Sequence, residues 1–130
     1  MKTIEVVAAI IIDNDKILCT QRGQNKYEYL SRKFEFPGGK IENGESKVEA
    51  LKREIFEELK MEVLPTEEFI KVTHKYADFN LIMYSYICIC KNPSIELSEH
   101  IDFKWLHKSE LKSLDWAAAD IPIIESLINY

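Results

Sequence analysis

Three glutamates crowd into five positions of the segment REIFEELK, which spans residues 53–60. They are Glu54, Glu57 and Glu58, and they lie near the end of a predicted helix. Like charges three or four residues apart on a helix repel each other, at a cost of roughly 0.2–0.5 kcal/mol per pair. Carboxylates near a helix C-terminus also oppose the macrodipole, by roughly 0.3–1 kcal/mol each. A divalent cation would offset both costs, so the spacing predicts a metal site.

The residues around the glutamates favour a hard cation. On a helical wheel the three carboxylates fall within roughly 100° of one another, beside the apolar stripe. A glycine-rich turn, PGGK at 37–40, precedes the helix, and glycines let backbone groups approach a ligand closely. Oxygen ligands suit Mg²⁺, with Mn²⁺ as a substitute. The alternative is an ordinary solvated charged face, which leaves the glycine-rich turn unexplained.

The helix that carries this cluster is predicted from its cap and its periodicity. Ser46 followed by Glu49 is a capping-box signature, which places the helix start there. Apolar residues then recur at helical spacing, and they predict the buried face. These residues are Val48, Leu51, Ile55 and Leu59.

The rest of the chain predicts a mixed sheet with helices packed on it, an α/β (α+β) fold. Segments rich in β-branched and aromatic residues predict strands at 4–12, 16–22, 63–77, 80–91 and 102–106. Short helices are predicted at 109–114 and 121–129, the second with Asp120 as N-cap and Pro122 in its first turn. Residues 23–33 predict a loop, and the glycines and proline of 34–45 exclude a helix. The 130 residues have the size of a single domain, 1–130.

Composition limits the possible partners. The net charge of −5 argues against binding to a nucleic-acid polymer, although a metal ion could offset the charge of a small phosphorylated ligand. No segment approaches the roughly 18 apolar residues of a membrane span, and no signal peptide is visible, so we expect a cytoplasmic protein. Cys88 and Cys90 share one face of a predicted strand and could form a metal pair. With Cys19 they are better interpreted as buried small hydrophobes in a reducing compartment.

Residues 39–61 resemble the Nudix box, G-x5-E-x7-R-E-U-x-E-E-x-G-U, where U is a bulky aliphatic residue. The matching positions are Gly39, Glu45, Arg53, Glu54, Ile55, Glu57, Glu58 and Met61. The hairpin ending in TQR, the approach FEFPGGKIE and the late AADIP are similar to the MutT-like branch, which includes 8-oxo-dGTP diphosphatases and CTP pyrophosphohydrolases. The resemblance implies an α/β/α sandwich with a mixed central sheet. Lys60 departs from the box glycine, which normally ends the helix in a left-handed conformation.

The resemblance also implies a reaction and roles for the matching residues. A nucleoside triphosphate, either an oxidised or non-standard one such as 8-oxo-dGTP or a CTP-like one, would be hydrolysed to the monophosphate and pyrophosphate with Mg²⁺. Glu57 and Glu58 would be metal ligands, helped by the carbonyl of Gly38. Glu54 would orient or deprotonate the water. Arg53 would hold the box glutamates, and Glu45 would support it.

Several substrate-binding and metal-binding candidates lie outside the glutamate cluster. Arg22 matches a phosphate-contacting arginine of the MutT branch, the alternative being a solvated surface arginine. Gly39 and Lys40 are further candidates for contacting the substrate. An additional metal carboxylate is expected before the last strand, as Glu99 or, almost equally, Asp102. His100 and His74 are possible ligands, but a lone histidine is more often hydrogen-bonded surface or core.

Asp120 matches a base-contacting residue of the MutT branch, where an asparagine stands. An ionised aspartate only accepts hydrogen bonds and would favour an amino group such as cytosine N4, whereas a protonated one could donate and admit an oxidised guanine. The alternative is that Asp120 only caps the last helix. For the whole chain the alternative function is a catalytically silent, Nudix-like module that binds a nucleotide or effector. The intact set of carboxylates favours the enzyme. The sequence leaves the oligomeric state open.

Overall fold

The computed structural model describes all 130 residues. It begins with a hairpin of β1 (Thr3–Asp13) and β2 (Lys16–Gln21), whose turn residues Asn14 and Asp15 both have positive φ, 53° and 63°. Such a two-residue turn matches the right-handed twist of the strands that it joins. The hairpin prediction is therefore confirmed.

A seven-stranded mixed sheet organises the chain. Its path runs β3 (Phe34–Glu35), β2, β1, β6 (Asn80–Cys90), β5 (Val63–Lys75), while β4 (Gly38–Lys40) pairs with β1 and β7 (Asp102–Leu106) pairs with β2. The central pair β1–β6 is parallel, and every other pair is antiparallel. The predicted long strands meet at a turn around Asp78, as expected. The two short strands β3 and β4 lie in the glycine-rich segment, for which no strand was predicted.

Strand β1 feeds two hydrophobic cores because successive side chains of a strand point to opposite faces. Ala8 and Ile10 pack into one core with α2 (Ile121–Ile128). Val7, Ala9 and Ile11 pack into the other with α1 (Lys47–Leu59). Helices thus cover both faces of the sheet, which confirms the predicted α/β/α architecture.

Helix α1 begins at the predicted cap, but its buried face is rotated from the predicted one. Ser46 Oγ accepts from Glu49 N at 3.1 Å, and Glu49 Oε1 accepts from Ser46 N at 2.8 Å. Leu51, Ile55 and Leu59 are fully buried as predicted, whereas Val48 is 38% exposed. The prediction for Val48 is wrong because the buried face is centred roughly 80° away, close to Glu58, and places Val48 at its rim.

The end of α1 shows which backbone conformation Lys60 adopts in place of the box glycine. Its φ of 56° and ψ of 35° lie in the left-handed region, and its N–H donates to the Phe56 carbonyl at 2.9 Å. The chain therefore keeps the helix ending that a glycine would adopt, at a cost for lysine of roughly 1 kcal/mol. Met61 then turns inward and is buried.

Two predictions for the C-terminal segment need correction. The short helix predicted at 109–114 is a 3-10 helix at Lys108–Ser113, while α2 lies where a helix was predicted. Asp120 precedes α2, but its side chain makes no capping hydrogen bond. It has helical backbone angles at the end of a 3-10 turn, Ala118–Asp120, and its carboxyl points to another partner.

The three cysteines are free; Cys19 and Cys88 fit the interpretation as buried hydrophobes, whereas Cys90 is only partly buried. Burial raises the pKa of the Cys19 thiol and of the Cys88 thiol to about 12 each, which keeps both protonated. None of the helices combines the length and the apolar character that a membrane crossing requires.

Candidate active site

A cleft of about 740 Å³ brings most of the predicted site residues together. We call its wall of residues 38–58 the motif region; Gly38, Gly39, Lys40, Glu54 and Glu58 line it there. We call the group of Phe36, Tyr76 and Asp120 the floor, because all three are buried and all three line the cleft. The volume suits a small-molecule ligand.

Arg53 is the hub of the motif region. Its Nε and Nη2 donate to the two oxygens of Glu45 at 2.6 and 2.9 Å, and Nη1 donates to Glu54 at 2.9 Å and to Glu57 at 3.2 Å. Nη2 also donates to the Lys40 carbonyl at 3.0 Å. These bonds raise the pKa of Arg53 and lower the pKa of Glu45. A planar guanidinium suits this task because its donors have a fixed fork geometry.

Glu58 lies deeper than the other box glutamates. It is 6% exposed, and its Oε1 accepts from Gly38 N at 3.1 Å. Burial raises the pKa of Glu58 to about 9, with a further contribution from the charges of Glu35, Glu54 and Glu99. Burial also raises the pKa of Glu54. Glu58 therefore lies close to three other carboxyl groups, those of Glu35, Glu54 and Glu99. A bound proton or cation would reduce the repulsion among these four groups.

Two of the three glycines of the motif region, Gly38 and Gly39, have no room for a side chain. A Cβ on Gly39 would lie 2.4 Å from the Glu54 carboxyl carbon, and a Cβ on Gly38 would lie 1.9 Å from the Val7 carbonyl oxygen. Glycine therefore lets β4 lie directly against β1 on one side and against the Glu54 carboxyl group on the other. Strand β4 therefore limits how deeply the carboxyl groups of Glu54 and Glu58 lie in the cleft.

The chemistry of these donors fits a hard divalent cation. Glu54, Glu57, Glu58 and Glu99 offer only oxygen atoms. Burial, and then the neighbouring negative charges, raise the pKa of Glu58, and a bound cation would favour its ionised form. No three acidic, histidine or cysteine side chains converge in their present positions closely enough to hold a metal ion. Glu57 is tied to Arg53 and is exposed, so it would have to turn toward the cleft to act as a ligand.

The structure separates the two candidates for the additional carboxylate. Glu99 lines the cleft, and its charge contributes to the raised pKa values of Glu54 and Glu58. Asp102 lies outside the cleft lining, and its carboxylate accepts from Phe103 N at 2.8 Å. Ser98 holds the segment in place, since its Oγ donates to the carbonyls of Glu57 and Glu58 at 3.1 and 3.2 Å. The geometry favours Glu99.

Asp120 lies on the floor of the cleft, directly before α2 but without a capping hydrogen bond. It is 5% exposed, and its Oδ1 accepts from Phe36 N at 3.0 Å. Burial raises the pKa of Asp120 well above the usual range, and the charge of Glu35 adds to this effect. The Phe36 N–H and the charge of Arg22 act in the opposite direction but are weaker. Burial therefore favours the protonated form of this carboxyl, which can donate a hydrogen bond.

Glu35 is a site residue that the sequence interpretation missed. Its Oε1 accepts from Arg22 Nη1 at 2.8 Å, and its Oε2 lies 2.9 Å from His100 Nε2. Its charge acts on both Glu58 and Asp120, so it connects the motif region to the floor. A signal for it exists: in the alternating segment FEF, a glutamate stands between two large aromatic residues, both of which are buried.

The remaining candidates take different places. Arg22 lines the cleft but is paired with Glu35, so a phosphate would have to compete with that ion pair. Lys40 is exposed at the rim of the cleft. His100 is buried, and its Nδ1 has no hydrogen-bond partner. His74 packs edge-on against the Tyr76 ring, with centroids 4.3 Å apart, and does not line the cleft.

Comparisons with known proteins agree with this geometry. The chain matches the family model described as NUDIX domain over residues 6–126. It is 34% identical to the CTP pyrophosphohydrolase of Escherichia coli over 98% of this chain and 93% of that protein. It is 30% identical to the 8-oxo-dGTP diphosphatase of Buchnera aphidicola subsp. Schizaphis graminum over 98% and 95%. The solution structure of the E. coli ORF135 protein is 32% identical with a TM-score of 0.83, covering 99% of this chain and 91% of that chain.

Proposed function

The chain belongs to the Nudix family, as a nucleotide pyrophosphohydrolase of the MutT type, and on that premise we propose that it hydrolyses an oxidised guanine nucleoside triphosphate to the monophosphate and pyrophosphate with Mg²⁺. The observation that carries the choice of base is the buried Asp120 carboxyl at the floor of the cleft, because its burial favours the protonated form. In that form the carboxyl would donate a hydrogen bond to a carbonyl oxygen of the base.

A second substrate class, CTP or dCTP, is supported by the 34% identity to a protein named CTP pyrophosphohydrolase. Cytosine also offers acceptors, at its ring nitrogen and its carbonyl oxygen, so a protonated Asp120 does not exclude it. An ionised Asp120 would prefer the cytosine amino group. Ionisation of this one side chain would therefore favour cytosine, whereas the protonated form admits both classes.

The motif region would bind the phosphates and carry out the reaction. When bound there, Mg²⁺ would neutralise charge on the phosphate oxygens and polarise the phosphorus. Glu57, Glu58 and Glu99, with the carbonyl of Gly38, would hold the ion. Glu54 would accept the proton of the attacking water. Its partly buried carboxylate has a raised pKa, which suits a base that works near neutral pH.

The neighbours of Glu54 would prepare it for this role. Arg53 bonds to Glu54 and Glu45 at once, so the water-activating carboxylate has a fixed direction before the substrate arrives. Glu45 takes the stronger, two-point contact and anchors Arg53. Arg22 would exchange its contact with Glu35 for a phosphate oxygen of the substrate. A catalytically silent module would have no use for this complete set, and the enzyme assignment sets that alternative aside.

A hydrolysis panel tests the substrate. Wild-type protein with Mg²⁺ is given 8-oxo-dGTP, dGTP, CTP and dCTP, and pyrophosphate and orthophosphate are measured separately. We expect pyrophosphate, with the highest kcat/KM for 8-oxo-dGTP. A higher value for CTP or dCTP would replace the proposed base, and release of orthophosphate would contradict the proposed cleavage position.

The metal requirement is tested by stability rather than by activity. Mg²⁺ at 100 times its dissociation constant should stabilise the folded protein by about 2.7 kcal/mol, because it binds only the folded state. Thermal unfolding with and without Mg²⁺ measures the gain, and Glu58→Gln should lose most of it. Glu110→Gln is the matched control, since Glu110 lies on the 3-10 helix far from the cleft lining. An equal gain in all three proteins would contradict the assigned ligands.

A further inference from the structure

Tyr76 is a buried residue of the floor whose ring is packed against three other aromatic side chains. Its ring stacks on Tyr29, with centroids 5.2 Å apart and planes 15° apart. The centroid of the Phe79 ring lies 5.2 Å from the centroid of the Tyr76 ring, and the centroid of the His74 ring lies 4.3 Å from it. The residue is 7% exposed, and it lines the cleft. Packing on several sides leaves the ring one orientation, so the position of its hydroxyl group is fixed.

The hydroxyl of Tyr76 has an unused proton. Its oxygen accepts from Ala119 N at 3.0 Å, in the 3-10 turn that ends at Asp120. It donates to no protein acceptor, although a phenol can both accept and donate. Burial raises the pKa of this phenol, and the neighbouring side chains of Asp120, Arg22 and Glu35 also act on it, so Tyr76 lies in the polar part of the cleft.

We propose that Tyr76 is a second specificity-determining residue, whose hydroxyl donates its proton to a carbonyl oxygen of the nucleotide base beside Asp120. The proposal rests on the proposed function, since it takes the ligand of the cleft to be a nucleotide. Two neighbouring donors, one from the phenol and one from the protonated carboxyl, would favour a base edge rich in carbonyl oxygens. Oxidation of guanine at C8 adds such an oxygen. Rigid placement makes the discrimination sharper, because no ordering cost is incurred on binding.

The experiment measures nucleotide binding, so that its result does not depend on turnover. Isothermal titration calorimetry gives the dissociation constants of 8-oxo-dGMP, dGMP and the 8-oxo nucleotide that lacks the 6-carbonyl oxygen. The proteins are wild type, Tyr76→Phe and Tyr29→Phe. Tyr29→Phe removes the same atom from the same aromatic stack, but the Tyr29 hydroxyl bonds to Asp78 at 2.7 Å in an exposed position outside the cleft lining.

Tyr76→Phe should weaken binding of 8-oxo-dGMP by about two- to tenfold, the effect of one neutral hydrogen bond. The loss should shrink to nearly nothing for whichever of the other two nucleotides lacks the contacted oxygen, and Tyr29→Phe should bind all three like wild type. An equal loss for all three nucleotides would overturn the proposal, because the phenol would then act only through the Ala119 turn. Wild type that binds none of them would also overturn it. Wild type that binds them but hydrolyses no triphosphate would contradict only the proposed function.

Discussion

The motif region and the floor of the cleft are built in opposite ways. The motif region comes from one continuous segment, residues 38–58, and its side chains are held by ion pairs around Arg53 that water partly reaches. The floor comes from three distant places, at Phe36, Tyr76 and Asp120, and its side chains are buried and held by backbone hydrogen bonds. The residues for a reaction that a family shares can all lie in one short segment of the chain. The proposed base-recognition site, in contrast, requires segments that are distant in the sequence to meet in the fold.

Each region has a carboxyl whose pKa is raised chiefly by burial, but the surroundings differ. Glu58 has three acidic neighbours, Glu35, Glu54 and Glu99, so a cation is the natural way to keep it ionised. Asp120 has one acidic neighbour, Glu35, and a backbone N–H that holds one of its oxygens. Its burial therefore favours the protonated form, a hydrogen-bond donor. On the proposed roles, the same physical effect would serve a metal ligand in one region and a base-reading group in the other.

Removing a metal ligand should have the largest effect and should not depend on the base. Glu57→Gln and Glu58→Gln should each lower kcat by roughly a hundredfold or more, since charge stabilisation by the metal contributes several kcal/mol. The loss should be equal for 8-oxo-dGTP and CTP if, as we propose, the motif region binds the phosphates and not the base. Steady-state kinetics measures this, and circular dichroism checks the fold. Wild-type turnover in either variant would refute its assignment as a ligand.

Changing the floor should have the complementary effect. Asp120→Asn keeps a donor and an acceptor but changes their geometry and removes the titration, so the ratio of kcat/KM for 8-oxo-dGTP to that for CTP should shift by about ten- to a hundredfold. Because Asp120 makes no capping hydrogen bond, the stability of α2 should not account for the change. An unchanged ratio would mean that the floor does not read the base.

The protonation of Asp120 should appear in the pH dependence of stability. Its pKa in the folded state is raised above the unfolded value of 3.8, so its contribution is fully present below that pH and is lost as the pH rises toward the folded value. The Asp120→Asn variant should not show this loss of stability, because asparagine does not ionise. The difference in melting temperature between pH 5 and pH 8 should therefore be smaller for the variant than for wild type. An equal difference in the two proteins would show that Asp120 is ionised in the fold.

The smallest effect is expected at the end of the motif helix. Lys60→Gly should stabilise the protein by about 1 kcal/mol or slightly less, because glycine adopts the left-handed conformation without strain. Lys52→Gly is the matched control: Lys52 is exposed within α1, and glycine there should destabilise by about 1 kcal/mol. Urea unfolding compares the three proteins. Destabilisation by Lys60→Gly would contradict the left-handed helix ending, and kcat should be unchanged in any case.

Predictions made from local patterns were mostly confirmed. The capping box of Ser46 and Glu49, the N-terminal hairpin and the long strands follow from neighbouring residues, and the structure has them where expected. Val48 was assigned wrongly because periodicity gives the spacing of a helical face but not its absolute rotation against the sheet. For Asp120 the structure excludes the alternative of a capping side chain, because its Oδ1 accepts from the buried backbone N–H of Phe36; the predicted contact with the base stays a prediction.

The sequence by itself predicted the helix with its carboxylate cluster and, through the resemblance to the Nudix box, the fold and the reaction class, because these signals lie in residues close together in the chain. Only the tertiary structure decided which glutamate is buried, that Glu99 and not Asp102 lines the cleft, and that Glu35 joins Arg22 to His100. It also decided the burial of Asp120 and the hydrogen bond that Tyr76 accepts from Ala119. Burial and the distances between remote groups set these properties, and both arise only when β3, the end of β5 and the turn before α2 close around one cleft.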